Sequence, residues 1–343
     1  MDKMFKRTLL ASAVAMVAAA GSANAAIELN GKAVQVYGQA AGSYQIWTPD
    51  AEGKDTTASV EIESRIGFRG VVEFEDFAPN FVWQIEGGNA DNAASWDAGW
   101  GRFGARDTFI GLEFDGVGSL KYGRQLVAAY NYVDWPHTNP GLGNVFDWYN
   151  PTEAALEGRA DHVLRFDSAN FGGFNFQATV SNMASTVDAA AFSLAASYTQ
   201  DLFSVHAGHY TQGEYSVGTD KKGDSSFSII GGQLYLGPVT LTAGYKMVEN
   251  GLNDNGQDSL STSAQYVAGN WLYKVGYSHA FETDKKVVTD GVENNGEATA
   301  ITGRIMYMLP SYVIYFDVRN YDLNEDIKAS DGTRTMLGME YYF

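Results

Sequence analysis

The sequence predicts an all-β protein, a 16-stranded antiparallel transmembrane β-barrel in which residues 26–343 form a single domain. Three observations predict this fold class. Apolar and polar residues alternate with a period of two along most of the chain, and short and long polar breaks follow each other in strict order. After residue 25, no stretch approaches the roughly 20 apolar residues that a membrane-spanning helix requires.

The N-terminal segment has the composition of a secretory signal peptide. Basic residues occur within the first seven positions, an apolar run follows over residues 8–20, and the small residues "ANA" occupy Ala23–Ala25. The apolar run is too short to cross a bilayer as a helix. We therefore expect residues 1–25 to be removed during export.

The alternation separates an apolar face from a polar face on each predicted strand. In the segment "WLYKVGYSHAF", Trp271, Tyr273 and Val275 lie on one side, whereas Lys274 and Ser278 lie on the other. A barrel of sixteen strands is too wide for side chains to fill its interior, so it encloses an aqueous channel. The apolar face should therefore contact lipid, and the polar face should line the lumen.

The breaks between the strands predict their number and direction. Seven short breaks, such as "FAPN" (Phe77–Asn80) and "LPS" (Leu309–Ser311), alternate with eight longer breaks rich in Asp, Asn, Gly and Lys. Fifteen connections join sixteen strands. Short periplasmic turns at one end and long external loops at the other are typical of outer-membrane barrels, whereas a soluble β-sandwich gives no reason for this separation.

The third long break, residues 126–158, is the longest and is rich in aromatic residues, Pro and Gly. Loops of this length are usually functional or disordered, and this composition is too aromatic for disorder. It contains the acids Asp134, Asp147 and Glu153.

Several stretches resemble the Gram-negative trimeric general porin family. They are "VYGQ" in the first strand, "SRIGFRG" (Ser64–Gly70), "RDTFIGLEFDGVGSLKYGRQ" (Arg106–Gln125) and "HVLRFDSANFGGFNFQATVSN" (His162–Asn182), together with the terminal Phe343. The resemblance implies an outer-membrane homotrimer from a Gram-negative bacterium, with a water-filled pore in each subunit. It also implies that the third loop folds inward as a constriction loop, whose acids face arginines on the opposite wall. The candidate pore-facing acids are then Asp134, Asp147 and Glu153. Acids facing bases across a narrow aqueous gap would create a transverse field that favours hydrated, dipolar solutes.

The resemblance carries over to individual positions. Arg65, Arg106 and Arg159 match the arginines of the constriction wall, and Arg102 lies on the same predicted face as Arg106. Phe343 resembles the family's assembly signal, so it would be recognised by the outer-membrane assembly machinery. Together with Tyr341 it should lie on the lipid face of the last strand, which must pair with the first strand to close the barrel.

The predicted function is passive diffusion of small hydrophilic solutes and ions. The chain has 41 acidic and 23 basic residues, a net charge of −18, which argues against nucleic acid as a partner and suggests a mild cation preference. The alternative is a substrate-selective channel for oligosaccharides, whose sugar rings would stack on Tyr130, Trp135 and Trp148 of the constriction loop. Expected partners are outer-membrane lipid, lipopolysaccharide and two further copies of the chain.

No catalytic, metal or cofactor site is predicted. The absence of cysteine excludes thiolate metal sites and thiol catalysis. The tetrapeptide "GDSS" (Gly223–Ser226) resembles a hydrolase nucleophile turn but has no His and Asp at suitable positions, so we expect no enzyme. His206 and His209 are separated by an odd number of positions on one predicted strand, which directs them to opposite faces rather than to one metal.

Overall fold

The computed structural model describes residues 26–88, 103–138, 144–184, 186–289, 292–323 and 331–343. The predicted signal peptide and Arg102 lie outside these ranges. The strands of the described residues are β1 (Ile27–Asn30), β2 (Val34–Pro49), β3 (Thr57–Ile62), β4 (Arg65–Phe74), β5 (Phe77–Glu86), β6 (Thr108–Phe114), β7 (Gly118–Leu126), β8 (Arg159–Ser168), β9 (Phe174–Ser181), β10 (Ala191–Thr199), β11 (Phe203–Gln212), β12 (Tyr215–Val217), β13 (Asp220–Lys222), β14 (Ser225–Leu236), β15 (Val239–Asn250), β16 (Asn255–Ala268), β17 (Trp271–Ala280), β18 (Val287–Thr289), β19 (Val292–Asn294), β20 (Ala298–Leu309), β21 (Tyr312–Asp322) and β22 (Gly332–Tyr342).

Helical structure in the described residues is limited to short turns. These are Tyr130–Tyr132, Val133–Thr138, Val145–Trp148 and Val187–Ala189. None of the helices described is long and apolar enough to cross a membrane.

The strands form a closed antiparallel barrel, as the sequence predicts. β3 and β4 both pair with β2 on the same side and form one interrupted strand, whereas β1 is a short addition to β2. The pairs β12–β13 and β18–β19 form separate hairpins in long loops. The described residues therefore contain sixteen barrel strands, in agreement with the predicted number.

The C-terminus closes the barrel. β22 pairs with β2 over eleven positions, beginning at Gln39 opposite Tyr342. Beyond the last assigned pair, the Phe343 N–H donates to the Gly38 carbonyl at 3.0 Å, and the Gly38 N–H donates to the Phe343 carbonyl at 2.7 Å. The prediction that the last strand pairs with the first is confirmed, and the terminal residue is held by two backbone hydrogen bonds.

The two faces of the strands also agree with the prediction. On β17, Trp271, Tyr273 and Val275 are exposed on the outer surface, whereas Lys274 and Ser278 point inward and are 5% and 1% exposed. Outside, apolar side chains would meet lipid. Inside, polar side chains are screened by the rest of the wall and by the constriction loop.

One predicted turn is displaced. The connection between β4 and β5 consists of Glu75 and Asp76, and residues 77–80, predicted to be the turn, begin β5 instead. Pro79 lies in the part of β5 opposite a register shift in β4, so its missing N–H interrupts no regular ladder bond. The proline therefore marks an irregularity in the strand rather than a turn.

The start of β6 explains an irregular alternation in the sequence. Arg106, Thr108 and Ile110 have the same parity, but the strand begins only at Thr108 and residues 103–107 form turns. Gly104 adopts a positive φ of 86°, which glycine tolerates without strain. The turns release Arg106 from the alternation, so it forms an ion pair with Glu86 while Ile110 remains on the outer surface.

Candidate functional site in the lumen

The constriction loop, residues 126–158, lies along the inside of the barrel wall between β7 and β8. Its helical turn Tyr130–Tyr132 contacts β11, the turn Val133–Thr138 contacts β14, β15 and β16, and the turn Val145–Trp148 contacts β16, β17 and β20. The inward fold of the third long loop is therefore confirmed. We call the lumen face of β9–β11 and β14–β17, against which it packs, the docking arc.

Polar side chains of the docking arc bond to the backbone of the loop. Acceptors for loop N–H groups are Thr179 Oγ1 for Ala128 (3.1 Å), Ser193 Oγ for Ala129 (2.9 Å), Ser278 Oγ for Val145 (3.0 Å) and Ser225 Oγ for Ala155 (3.0 Å). Donors to loop carbonyls are Ser261 Oγ to His137 (3.2 Å), Asn250 Nδ2 to Thr152 (2.8 Å) and Lys246 Nζ to Phe146. These bonds satisfy buried backbone groups that no regular ladder serves.

His137 occupies a notch in the wall. Its side chain is fully buried, and a Cβ built at Gly231 or Gly244 would lie 2.5 Å from the imidazole ring. The ring therefore fits only because both wall positions are glycine. Its Nε2 lies 2.8 Å from Nε2 of His206, on which the Tyr132 ring stacks at a centroid distance of 4.5 Å.

The structure brings three predicted wall arginines together. Arg65 interacts electrostatically with both Arg106 and Arg159. Arg106 forms an ion pair with Glu86, and Arg159 Nε donates to Asp107 at 2.6 Å. The fourth predicted wall residue lies outside the described ranges.

Two further arginines extend this basic surface. Arg124 Nη1 lies 2.8 Å from Asp161, and Arg165 Nε lies 2.9 Å from Asp167. We call Arg65, Arg106, Arg124, Arg159 and Arg165, with the carboxylates that pair with them, the basic arc. The sequence analysis did not identify these carboxylates, because strand alternation does not reveal which cross-strand partner a side chain selects.

The three predicted loop acids have different environments. The Asp147 carboxylate accepts from the Tyr130 hydroxyl at 2.9 Å, and burial raises its pKa, while Lys246 opposes the rise. Asp134 is half-buried and interacts electrostatically with Tyr130 and Asp147. Glu153 is exposed and has a positive φ of 56°. Of the three, Glu153 has the most accessible side chain.

A cavity of about 200 Å³ separates the loop from the wall beside Asp147. Tyr130, Glu157 and Lys246 also line it. Burial raises the pKa of Glu157, which accepts from the Ser181 hydroxyl at 2.6 Å. Asp147 and Glu157 thus contribute carboxyls on the inner side of the loop, where they face the wall.

Trp148 is the most exposed of the three predicted stacking residues, at 52%. Its ring lies 6.2 Å from the ring of Tyr321, which in turn lies 6.2 Å from Trp47. The Arg334 guanidinium lies 5.7 Å from the Trp47 ring. We call Trp47, Trp148 and Tyr321 the aromatic cluster. It joins the loop to β2 and β21, the two strands that pair with the C-terminal strand β22.

The other two predicted stacking residues are less accessible. Tyr130 and Trp135 are both half-buried, and the Tyr130 hydroxyl is occupied by Asp147. Burial, followed by Asp147, raises the Tyr130 pKa above its ordinary value. Trp47 and Tyr321 were not predicted, because they lie on strands far from the loop in sequence.

The docking arc was also missed, although the sequence contains a signal for it. Ser193, Ser225, Ser261 and Ser278 all occupy inward strand positions, where the basic arc has arginines and carboxylates. Small hydroxyl side chains on an inward face allow a second chain segment to approach closely.

The prediction that His206 and His209 lie on opposite faces of their strand is confirmed. His206 points inward, and His209 is exposed on the outer surface.

Comparisons with known proteins agree with this architecture. A model of the family described as Gram-negative porin matches residues 11–326. A chitoporin from Vibrio furnissii is 34% identical over the full length of both chains. Among solved structures, the anion-selective porin from Comamonas acidovorans has a TM-score of 0.73 at 17% identity, covering 91% of this chain and 99% of its own. Salmonella typhi OmpF in complex with daunomycin has a TM-score of 0.71 at 19% identity, covering 93% and 100%.

Proposed function

Because the chain belongs to the Gram-negative porin family, we propose that it forms a water-filled channel for passive diffusion of small hydrophilic solutes and ions. It is a protein of the Gram-negative outer membrane. The observation that carries the proposal is the position of the constriction loop, which is fixed to the docking arc and narrows the lumen beside the basic arc. Single-channel conductance in planar bilayers tests it; a purified protein that inserts and carries no current would contradict it.

A mild cation preference is the second part of the proposal. Four arginines of the basic arc, Arg106, Arg124, Arg159 and Arg165, form ion pairs with carboxylates, so the wall charges largely offset each other. The described long loops, by contrast, are strongly acidic. Their acids include Asp50, Glu52, Asp55, Glu214, Asp220, Asp224, Asp254, Glu282, Asp284, Glu293, Glu297 and Asp331, against the bases Lys54, Lys221, Lys222, Lys285 and Lys286. An acidic mouth raises the local cation concentration.

The loop at residues 50–55 offers a direct test of this preference. Asp50→Asn, Glu52→Gln and Asp55→Asn combined should shift the reversal potential in a salt gradient toward that of a non-selective channel. The shift should diminish at high ionic strength, because salt screens exposed charges. An unchanged reversal potential at low salt would remove the loops as the source of selectivity.

The constriction itself is proposed to consist of Arg65, Arg106 and Arg159 on one side and Asp134, Asp147 and Glu153 on the other. Neutralising the acids one at a time, as Asn or Gln, tests the assignment by reversal potential. Glu153→Gln should have the largest effect, because its side chain is the most accessible of the three. If all three variants retain the original selectivity, these acids do not form the constriction.

The aromatic cluster favours a second candidate function, selective uptake of oligosaccharides. Half-exposed Trp148 presents an apolar ring face in the lumen, with Trp47 and Arg334 nearby. Sugar rings pack on such faces, and a relative named chitoporin matches the whole chain. Chitin-derived oligosaccharides at micromolar concentration should then block the current saturably, and Trp148→Ala should weaken the block at least tenfold. Equal, non-saturable effects of chitin and starch oligosaccharides would leave passive diffusion as the function.

Assembly as a homotrimer is proposed from the wall near β6. This strand has seven residues, fewer than the roughly 9–11 that a lipid-facing strand needs, and turns at residues 103–107 precede it. Irregular backbone is not tolerated against lipid, so protein should cover this side. The exposed ring of Phe103 packs against Phe68 on the same surface. Chemical cross-linking in the membrane should yield trimers on a denaturing gel. A single monomer band after cross-linking would contradict the assembly.

Export and assembly complete the proposal. Residues 1–25 are proposed to be a signal peptide, so N-terminal sequencing of the exported protein should begin at Ala26. Phe343 and Tyr341 are proposed as the signal read by the outer-membrane assembly machinery, with lipopolysaccharide as the surrounding lipid. Deleting Phe343 should reduce the amount of heat-modifiable barrel in the outer membrane, and normal assembly of the deletion would contradict this role.

A further inference from the structure

We propose that His137 is the positioning residue of the constriction loop, and that its contact with His206 makes the docked position of the loop acid-sensitive. The proposal goes beyond diffusion through the pore, since it concerns what holds the pore at its width. It starts from the notch formed by Gly231 and Gly244. The imidazole ring fits there because both wall positions are glycine, and a larger residue at either position would collide with it. The His137 side chain therefore fixes the position of the loop at a defined place on the wall, between Gly231 and Gly244.

The contact between the two rings requires an unprotonated nitrogen. Nε2 of His137 and Nε2 of His206 are 2.8 Å apart, so one must donate a hydrogen and the other must accept it. When both rings are protonated, two N–H groups oppose each other and the hydrogen bond is lost. The docked loop therefore tolerates at most one additional proton on the pair.

The surroundings make protonation of His137 unfavourable. Burial, followed by the positive charges of His206 and Lys274, lowers its pKa to about 3. From the other elements around the notch come Ser261 on β16, Phe146 of the loop and the two glycines, none of which is ionisable at neutral pH. In the described part of the chain, the charged groups acting on this ring are basic.

The direction of the pH effect follows from linkage. A released loop would give His137 its ordinary pKa of about 6.5, whereas docking lowers it, so docking is favoured when the ring is neutral. The contribution is complete above pH 6.5 and is lost as the pH falls toward 3. Within this window, each pH unit lowers the ratio of docked to released loop by up to about tenfold.

Asp147 acts in the opposite direction. Burial raises its pKa, so protonation of this carboxyl favours the docked loop as the pH falls. Glu157 acts in the same direction as Asp147, because burial raises its pKa as well. The pH dependence of the wild type is the sum of these groups, and the histidine part must be isolated by substitution. His137→Gln does this, because the amide retains hydrogen-bonding groups and does not titrate.

Single-channel recordings of the trimeric protein between pH 7 and pH 4 test the proposal. The wild type should show one steady conductance at pH 7 and increasing transitions to other levels as the pH falls. In His137→Gln, the increase in the frequency of these transitions between pH 7 and pH 4 should be at least tenfold smaller than in the wild type. His209→Gln is the matched control, because His209 lies on the same strand as His206 but on the outer surface; its profile should equal that of the wild type.

The notch provides an independent test at neutral pH. In Gly244→Ala, the added Cβ would lie 2.5 Å from the His137 ring and should displace it, producing the acid-type conductance at pH 7. Heat-modifiable migration on gels verifies that the barrel has formed; should this variant fail to fold, His206→Gln replaces it, with the same smaller increase in transitions expected as for His137→Gln. Identical pH profiles for wild type and His137→Gln would overturn the proposal, as would wild-type conductance in folded Gly244→Ala. A protein without current at pH 7 would contradict the channel function instead.

Discussion

The basic arc and the docking arc are built from the same alternation of inward polar and outward apolar residues, yet their inward side chains serve different partners. On the basic arc, arginines pair with carboxylates of neighbouring strands, as Arg106 does with Glu86. On the docking arc, short neutral side chains such as Ser278 bond to the backbone of the constriction loop. A polar inward face therefore does not by itself define a pore lining; part of it is an internal binding surface for the chain's own loop.

The difference has an energetic reason. A loop inside a barrel exposes backbone N–H and C=O groups that cost free energy unless they are paired. Serine and threonine satisfy such groups at close range and carry no charge that would have to be buried. Arginine and carboxylate side chains, which remain partly hydrated on the basic arc, would be expensive beneath the loop. The wall chemistry thus determines which side of the lumen stays open.

The largest effect should come from Lys246, a buried lysine that bonds to the loop. Lys246 is 5% exposed, donates to the Phe146 carbonyl and neutralises Asp147. Lys246→Met leaves a buried carboxylate without its cation, which should weaken docking of the loop by about 3 kcal/mol. We expect a noisy, variable single-channel conductance in place of a steady level.

The double variant Lys246→Met/Asp147→Asn supplies the control. Removing both charges restores neutrality beneath the loop, so most of the steady conductance should return. A steady conductance in the single variant would mean that this pair does not hold the loop. A double variant as noisy as the single one would assign the effect to the lost backbone hydrogen bond instead.

The sequence was sufficient for the barrel but only partly for the site. A period of two, applied strand by strand, predicts which residues face inward, as it does for Lys274 and Ser278 on β17. Arg65, Arg106 and Arg159, which interact electrostatically, were predicted from the family resemblance instead. The period does not predict angular position around the barrel, which decides whether an inward residue faces open lumen or a loop. For this reason Ser278 was treated as an ordinary lumen residue, and Trp47 was not connected with the loop.

Loop residues were the least predictable, because a loop has no period. Asp134, Asp147 and Glu153 have equal standing in the sequence, yet one is covered by a tyrosine hydroxyl and another is exposed. The deciding contact, between Tyr130 and Asp147, depends on the path of the loop along the wall. That path depends in turn on glycines and serines whose role appears only after the strands are paired.

An intermediate effect is expected on the basic arc. In Arg106→Gln, Glu86 loses its ion-pair partner and adds an uncompensated negative charge to the lumen. The reversal potential should shift toward cation preference while the conductance remains steady, because the loop does not depend on this pair. Partly exposed pairs contribute at most about 1 kcal/mol to stability, so the barrel should remain folded.

The matched variant is Arg106→Gln/Glu86→Gln, which should return the reversal potential to near the wild-type value. Restoration would attribute the selectivity change to the net charge of the arc. A shift that persists in the double variant would instead indicate a change in pore width. Noise in either variant would mean that the ion pair of Arg106 and Glu86 also holds the loop, and would contradict the separation of the two arcs at this position.

The smallest effect should come from a single neutral hydrogen bond of the docking arc. Ser278 Oγ accepts from the Val145 N–H at 3.0 Å, and Ser278→Ala should cost the docked loop about 1 kcal/mol. Ser259 is the control, because it is equally buried and its hydroxyl has no hydrogen-bond partner within the described residues. Current noise should rise slightly in Ser278→Ala and stay at the wild-type level in Ser259→Ala. Equal noise in both would mean that the serines merely leave room for the loop, and that the larger contacts at His137 and Lys246 hold it.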